Sequence, residues 1–238
     1  MSVAAVGGRR AHAAGAAALQ TTPTGPQTTP QHALEALRRA IVAGELRPGQ
    51  RIAQEQFAER VGVSIAPVRE ALRMLEQEGQ VVYRPRRGYF VRELHIEDLE
   101  EIYELRRLLE ERAARAALPG IDALALASIR RAADDCAQAA SRGDVAVQLE
   151  ANRRFHFAIL DGGAQPHTMR LIRMLWESTE PYRAMYYNSA AERRRSNAAH
   201  QRILRSLKAG DADQLVAELD AHRSRALEVL RRVLAGGS

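Results

Sequence analysis

The sequence predicts a mainly α protein in two parts. A small N-terminal unit of short helices closed by a β-hairpin comes first, and an all-helical antiparallel bundle follows. Three observations carry this. Apolar residues recur at helical spacing from residue 31. After Gly79 come two β-like runs, VVYR and GYFVR, joined by PRR. From His95 onward the periodicity is helical throughout, in six segments: about 96–118, 121–141, 145–161, 166–187, 190–209 and 211–234. Gly120, Gly143, Gly162–Gly163 and Gly210 punctuate them.

The 238 residues suffice for one large or two small domains. Apolar residues make up 46% and charged residues 27%, the balance of a globular protein. No run of 18 apolar residues exists, so no membrane span is expected. The single cysteine, Cys136, excludes an intrachain disulfide and fits a reducing cytoplasm. Net charge is +6, and Lys208 is the only lysine. The positive charge is therefore carried by guanidinium forks, suited to phosphate and carboxylate. It is also concentrated: residues 84–92, RPRRGYFVR, hold four arginines and no acid.

Residues 1–30, rich in Ala, Gly, Thr, Pro and Gln, read as a disordered tail. A secretory signal is not expected there, because His12 and Gly15 break the weak apolar stretch. HALEALRRAIVAGEL then puts Leu34, Leu37, Ile41 and Val42 on one helical face, and RPGQ ends it as a turn. QEQFAERVG is a short helix closed by Gly62. Ser64 reads as the N-cap of the next, with Pro67 tolerated in its first turn. That helix buries Val68, Leu72 and Leu75 and stops at Gly79. The boundary between the two parts falls near Arg92–Ile96, dividing the chain into 31–94 and 95–238. Asp211, directly after Gly210, reads as an N-cap.

Two short helices joined by VGVS and followed by a basic hairpin make a winged helix-turn-helix pattern. A helix of this kind enters the major groove, and the wing arginines meet phosphates or the minor groove. The stretch PGQRI…FAERVGVSIAPVREALRMLEQEGQV…RPRRGYFV resembles the DNA-binding domain of the GntR family over about 60 residues. The resemblance implies a DNA-facing set of Ser64, Ala66, Arg69, Arg73, Arg86, Arg87 and Gly88. Two positions depart from the family: Ile65 and Glu55 stand where arginines are common. From the residues alone, Arg69 has a second reading as a surface ion pair with Glu59. Arg84, Arg86 and Arg87 likewise have one as a solvated charge run.

In the bundle, polar residues sit inside apolar stripes. Leu215, Leu219, His222, Ala226, Val229 and Val233 follow 4/3 spacing. His200 shares a face with Ile203, Leu204 and Leu207, and His156 with Asn152, Ile159 and Leu160. A single inward histidine is an ordinary hydrogen-bonded core residue. Three from separate helices suggest a shared metal ion, since burying imidazoles without partners is costly. Asn152, at i−4 to His156, offers a fourth oxygen ligand. Arg106 lies in a further stripe with Leu99, Ile102, Leu109, Ala113 and Ala116, and a buried arginine needs an anion. Glu110 at i+4 is its intramolecular candidate, and an organic carboxylate is the alternative.

ELRRLLEERAARAA (104–117), NRRFH (152–156) and the run from His200 to His222 resemble the FCD effector domain of the FadR subfamily of GntR regulators. That resemblance implies metal ligands Asn152, His156, His200 and His222. Asparagine stands where the family most often has aspartate. The metal is a divalent ion, with zinc first and nickel or another ion as alternatives. A small organic acid is expected beside it, bound by Arg106, Asn152 and Tyr182, with Arg183 next to Tyr182 a further candidate lining residue by position. The resemblance also implies a cytoplasmic homodimer, with no membrane partner, that acts as a ligand-responsive repressor on a double-stranded DNA operator. Two other functions compete. One is the same regulator without metal and with an apolar acyl-type effector. The other is a metal-dependent hydrolase, against which no general base stands at a recognisable spacing.

Overall fold

The computed structural model describes residues 29–163 and 165–235. The chain forms α1 (Thr29–Val42), α2 (Gln54–Val61), α3 (Ile65–Gln77), β1 (Val81–Arg84), β2 (Gly88–Val91) and α4 (Ile96–Ala117). It continues with α5 (Ala123–Arg142), α6 (Val145–Leu160), α7 (Pro166–Ser178), α8 (Glu180–Tyr187), α9 (Ala190–Ala209) and α10 (Ala212–Ala235). Most of the expected tail, 1–28, lies outside the described residues, as does the question of a signal segment. Thr29 and Pro30 already belong to α1.

In the N-terminal part, α1 and α2 pack on α3 around Leu37, Ile41, Phe57, Val68, Leu72 and Leu75. β1 and β2 pair antiparallel, from Val81↔Val91 to Arg84↔Gly88. The segment after RPGQ is more than a turn. Ile52 N–H donates to the Tyr89 carbonyl at 2.9 Å and Val91 N–H to that of Gln50 at 2.9 Å. This chain therefore covers the free edge of β2, a long-range pairing with no local signature. Ser64 occupies the N-cap position of α3, but its hydroxyl makes no capping bond. Asp122, Asp144 and Ser189 do cap α5, α6 and α9, and Asp211 Oδ1 accepts from Gln214 N–H at 2.9 Å.

In the bundle, α5 packs on α6 and α9, α10 packs on α4 and α9, and α7 and α8 cover α4 and α6. The core is built on Phe155, Ile159, Ile172, Trp176, Ile203 and Leu215. α6 buries a wide face from Leu149 to Leu160 and leaves a stripe of Val147, Glu150, Arg154 and Ala158 exposed.

Three expectations are corrected. The segment 166–187 is two helices, not one, so seven helices stand where six were expected. Thr179 (φ −99°, ψ 1°) leaves the helix, and Pro181 in the first turn of α8 has no N–H to continue α7. The α4 stripe runs through Leu99, Tyr103, Arg106, Glu110, Ala113 and Ala117, while Ala116 is exposed. The turn at 161–163 presses on this end of α4. A Cβ at Gly163 would lie 3.1 Å from both Ala116 C and Ala117 N, so a larger residue would require the turn or α4 to shift slightly. Third, Val233 is exposed and Leu230 is fully buried in its place. A strict 4/3 pattern averages 3.5 residues per turn, and a straight helix of 3.6 drifts away from it.

The two parts meet through a mixed cluster containing Leu94, Tyr182, Tyr186 and Val229, with half-buried Val42 of α1 packed against it. Leu94 N–H donates to the Tyr182 hydroxyl at 2.6 Å.

Candidate functional site

Ser64, Ala66, Arg69 and Arg73 all lie on the exposed side of α3. Arg69 Nε donates to Gln54 Oε1 at 3.3 Å, so its partner is not Glu59. At the hairpin, Arg51 Nε donates to the Arg87 carbonyl at 2.9 Å, and the Arg84 guanidinium stacks 4.6 Å from the Phe90 ring centre. Arg86 is the one non-glycine residue with positive φ (61°) among the described residues. Arg87 N–H donates to the Arg84 carbonyl at 3.0 Å, which makes Arg86 the third residue of a tight turn. Glycine or asparagine ordinarily fills that position. Gly88, next to it, also has positive φ (89°). Among the described residues, neither Arg73 nor Arg86 has an acidic partner.

Inside the bundle, α6, α9 and α10 bring His156, His200 and His222 together. One nitrogen from each lies within 4.8 Å of the other two. The His156 and His222 rings stack at 10° with centres 5.2 Å apart, and His200 stands edge-on to both. Asn152 Oδ1 is 3.1 Å from His200 Nε2, a hydrogen bond when that nitrogen carries the proton. Two ligands of one ion at about 2.1 Å stand roughly 3.0–3.4 Å apart, so this spacing also suits a shared metal. Burial, then the neighbouring His222, holds His156 and His200 well below the usual imidazole range. Burial, then Arg106 and Arg223, brings His222 to about 4. All three are thus neutral at neutral pH, the form that ligates metal. The donor set fits a divalent ion that accepts nitrogen, and buried His156 Nδ1 and His200 Nδ1 have no protein partner.

Beside the imidazoles lies an arginine–tryptophan stack. Trp176 of α7 is flanked by Arg106 of α4 and Arg183 of α8, each guanidinium 4.3 Å from the ring centre. Each such contact contributes on the order of 1–2 kcal/mol when desolvated. Glu110 is the hub of the counter-charge. Its Oε1 accepts from Arg106 Nε at 2.8 Å and Trp176 Nε1 at 2.7 Å, and its Oε2 accepts from Arg223 Nη1 at 2.8 Å. Burial would raise the Glu110 carboxyl, but Arg106 and Arg223 outweigh burial and hold it at about 2. The intramolecular partner of Arg106 is therefore in place. Even so, Arg106 Nη1 stays unpartnered, as do Arg183 Nε and Nη1 and the Tyr103 hydroxyl. These groups line a cavity of about 30 Å³ with His156, His222, Asn152 and Trp176, and His200 stands behind them.

Tyr182, expected at this cavity, does not line it. Its hydroxyl is turned to Leu94, and Arg183 takes the inward position. The phase of α8 restarts at the Thr179 break, and a one-residue error of phase turns a side chain by about 100°. Sequence reasoning also missed Arg223 and Trp176. The signal for both was present: 215–219–223–226–230 is the α10 stripe that is buried, and 169–172–176 the α7 stripe.

The fold agrees with the comparisons. Residues 29–91 match the model of the gntR family of bacterial regulatory proteins, and residues 101–225 match the FCD domain. HTH-type transcriptional regulator McbR of Escherichia coli (strain K12) is 30% identical over 179 residues, covering 74% of this chain and 81% of that protein. The uncharacterized HTH-type regulator YdhC of Bacillus subtilis is 27% identical over 202 residues, covering 84% and 90%. The solved structure of E. coli McbR/YncC superposes with a TM-score of 0.77 at 27% identity, covering 87% of this chain and 99% of that one. This chain belongs to the GntR family of DNA-binding transcriptional regulators and carries an FCD domain behind its helix-turn-helix domain. It is a regulator of transcription, not an enzyme. No helix among the described residues is long and apolar enough to cross a membrane.

Proposed function

We propose that this regulator is ligand-responsive, and that a small organic acid held beside a divalent metal in the bundle alters its grip on an operator. The observation that carries this reading is a convergence. Three neutral imidazoles and an amide oxygen cluster at one small cavity, lined by two of those imidazoles and by buried guanidinium donors that lack acceptors. A metal there would be held by His156, His200 and His222, with Asn152 beside them, and would recruit a carboxylate. Arg106 would orient that carboxylate through its free Nη1. Zinc suits this donor set, and nickel is an alternative. Glu110 is tied to three donors and is not free to act as a base. An apolar acyl effector would leave the arginine donors unpaired, which disfavours it.

Transmission to the DNA-binding domain would run through α8. Arg183 faces the cavity, and its neighbour Tyr182 holds the backbone of the linker between the domains. A ligand that draws in Arg183 rotates the same short helix that anchors Leu94. Repression relieved by the acid is the simplest form of this response, and the site of action is the cytoplasm. Leu105 and Leu108 on α4, and Leu171 and Met174 on the adjacent α7, are exposed apolar side chains. They support a homodimer through this face, which would place two recognition helices on a pseudo-palindromic site.

The test uses the full chain purified without a histidine tag. It should carry stoichiometric divalent metal, and a panel of small carboxylates should raise its melting temperature only when metal is present. Binding at 100 times Kd corresponds to about 2.7 kcal/mol. His200→Ala should lose the metal and the carboxylate response together. A carboxylate response that survives chelation overturns the reading.

The wing supplies a separate expectation. Arg86→Gly should relieve the left-handed strain and raise stability by up to about 1 kcal/mol. If Arg86 contacts a phosphate, the same change should weaken duplex binding and lower the salt slope by about one. Duplexes selected from a random pool, titrated over a salt series, give the readout. Unchanged affinity would leave Arg86 with no role on DNA.

A further inference from the structure

The charges around the cavity do not balance, and the imbalance sits at one residue. Arg106 and Arg223 share Glu110, and Arg223 also reaches Asp220 at 3.4 Å. Arg183 is only 5% exposed and has no acidic partner among the described residues. Its Nη2 donates to the Trp176 carbonyl at 3.0 Å, and its Nε and Nη1 find no acceptor. Burial lowers the Arg183 guanidinium, Glu180 raises it and Arg106 lowers it again, to about 10, so it is still charged at neutral pH. Arg106 and Arg223 thus have Glu110 and Asp220 in contact, whereas Arg183 has only Glu180, acting at a distance without a hydrogen bond. A divalent ion on three neutral imidazoles and a neutral asparagine adds two more positive charges. One carboxylate cannot offset that total, and one carboxylate on the metal leaves Arg183 bare.

We infer that the effector is a compact dianion, a short dicarboxylate, with one carboxylate at the histidine cluster and the other on the free edge of Arg183. This rests on the metal–carboxylate reading above and deepens it. Asn152 takes part in the same logic: being neutral, it leaves to the ligand the negative charge that an acidic residue would contribute. Nε and Nη1 of Arg183 are both unoccupied, and each can give a carboxylate oxygen a charge-assisted hydrogen bond. The cavity of about 30 Å³ is too small for a diacid as it stands. Tyr186 and His222 separate it from a groove of about 460 Å³ between α9 and α10, and both residues line both spaces. Because His222 stays on the metal in this reading, displacement of Tyr186 is the movement that joins the spaces.

The test is calorimetric titration of the metal-loaded full chain with malonate and succinate, each beside its monoamide of nearly the same shape. The diacid should bind about tenfold or more tightly than its monoamide, as expected for a buried charge-assisted hydrogen bond. In Arg183→Gln, with metal content retained, that ratio should fall to near one while the monoamide still binds. Arg183→Lys, which keeps the charge but presents a single ammonium in place of the guanidinium donors, should restore part of the ratio. A wild-type ratio near one overturns the dianion assignment and leaves the carboxylate reading intact. Failure of diacids, monoamides and acetate alike to bind the metal-loaded protein overturns both. The wild-type comparison alone decides the matter should the Arg183 variants fail to fold.

Discussion

Glu110→Gln should destabilise the bundle by roughly 3–5 kcal/mol, the usual cost of removing one partner from a buried ion pair. The side chain is 3% exposed and its two oxygens serve Arg106, Arg223 and Trp176. Glutamine keeps the shape but carries no charge, and its NH₂ group meets a guanidinium where an acceptor was. Set against a total of about 5–15 kcal/mol, this is a large share. Urea unfolding in the presence of chelator gives the measurement, with melting expected to fall on the order of 10 °C. The pH dependence has a definite sign. The folded carboxyl sits at about 2, below its unfolded value, so its contribution is present above the ordinary carboxylate range. It is lost as pH falls towards 2, and the gap between wild type and variant should narrow over that interval. A difference under about 1 kcal/mol at neutral pH would mean that Glu110 is not the counter-charge of the site.

Tyr182→Phe should separate ligand binding from DNA response. Its hydroxyl is the polar tie from α8 to the linker, through Leu94 N–H at 2.6 Å. The phenyl ring preserves the packing against Leu94 and Val229. The lost bond leaves a buried N–H unpaired, at about 1–3 kcal/mol. Coupling between effector and DNA in such switches amounts to about 1–3 kcal/mol, or 5–150-fold in affinity. The variant should keep its metal and bind the carboxylate within about threefold of wild type, while most of the ligand's effect on duplex affinity disappears. An undiminished effect would place the coupling elsewhere in the shared cluster, not at this bond.

Much of the architecture was legible because it rests on period. The stripes of α9 and α6 placed His200 and His156 inward, and the spacing of α10 placed His222 at their side. Hairpin and recognition helix were likewise local patterns. What escaped depends on tertiary context. The edge pairing of residues 49–52 with β2 joins segments nearly 40 residues apart, with only RPGQ to mark them. Glu110 was readable as an i+4 partner of Arg106. Nothing in α4 announces that Trp176 and Arg223 share it. Tyr182 and Arg183 both read as pocket residues by position, and the break at Thr179, which resets the helical phase within a stretch that reads as continuous, hides which of the two turns inward.

Trp176 is the only tryptophan in the chain, and it lies between Arg106 and Arg183 with His156 at 5.2 Å. The protein therefore carries an optical probe at the centre of its regulatory cavity. Its indole emission comes from a single position, flanked by two cations and tied by its N–H to Glu110. Light absorbed at the red edge of the band reports on that cavity alone, with no label attached and no background from the DNA-binding domain.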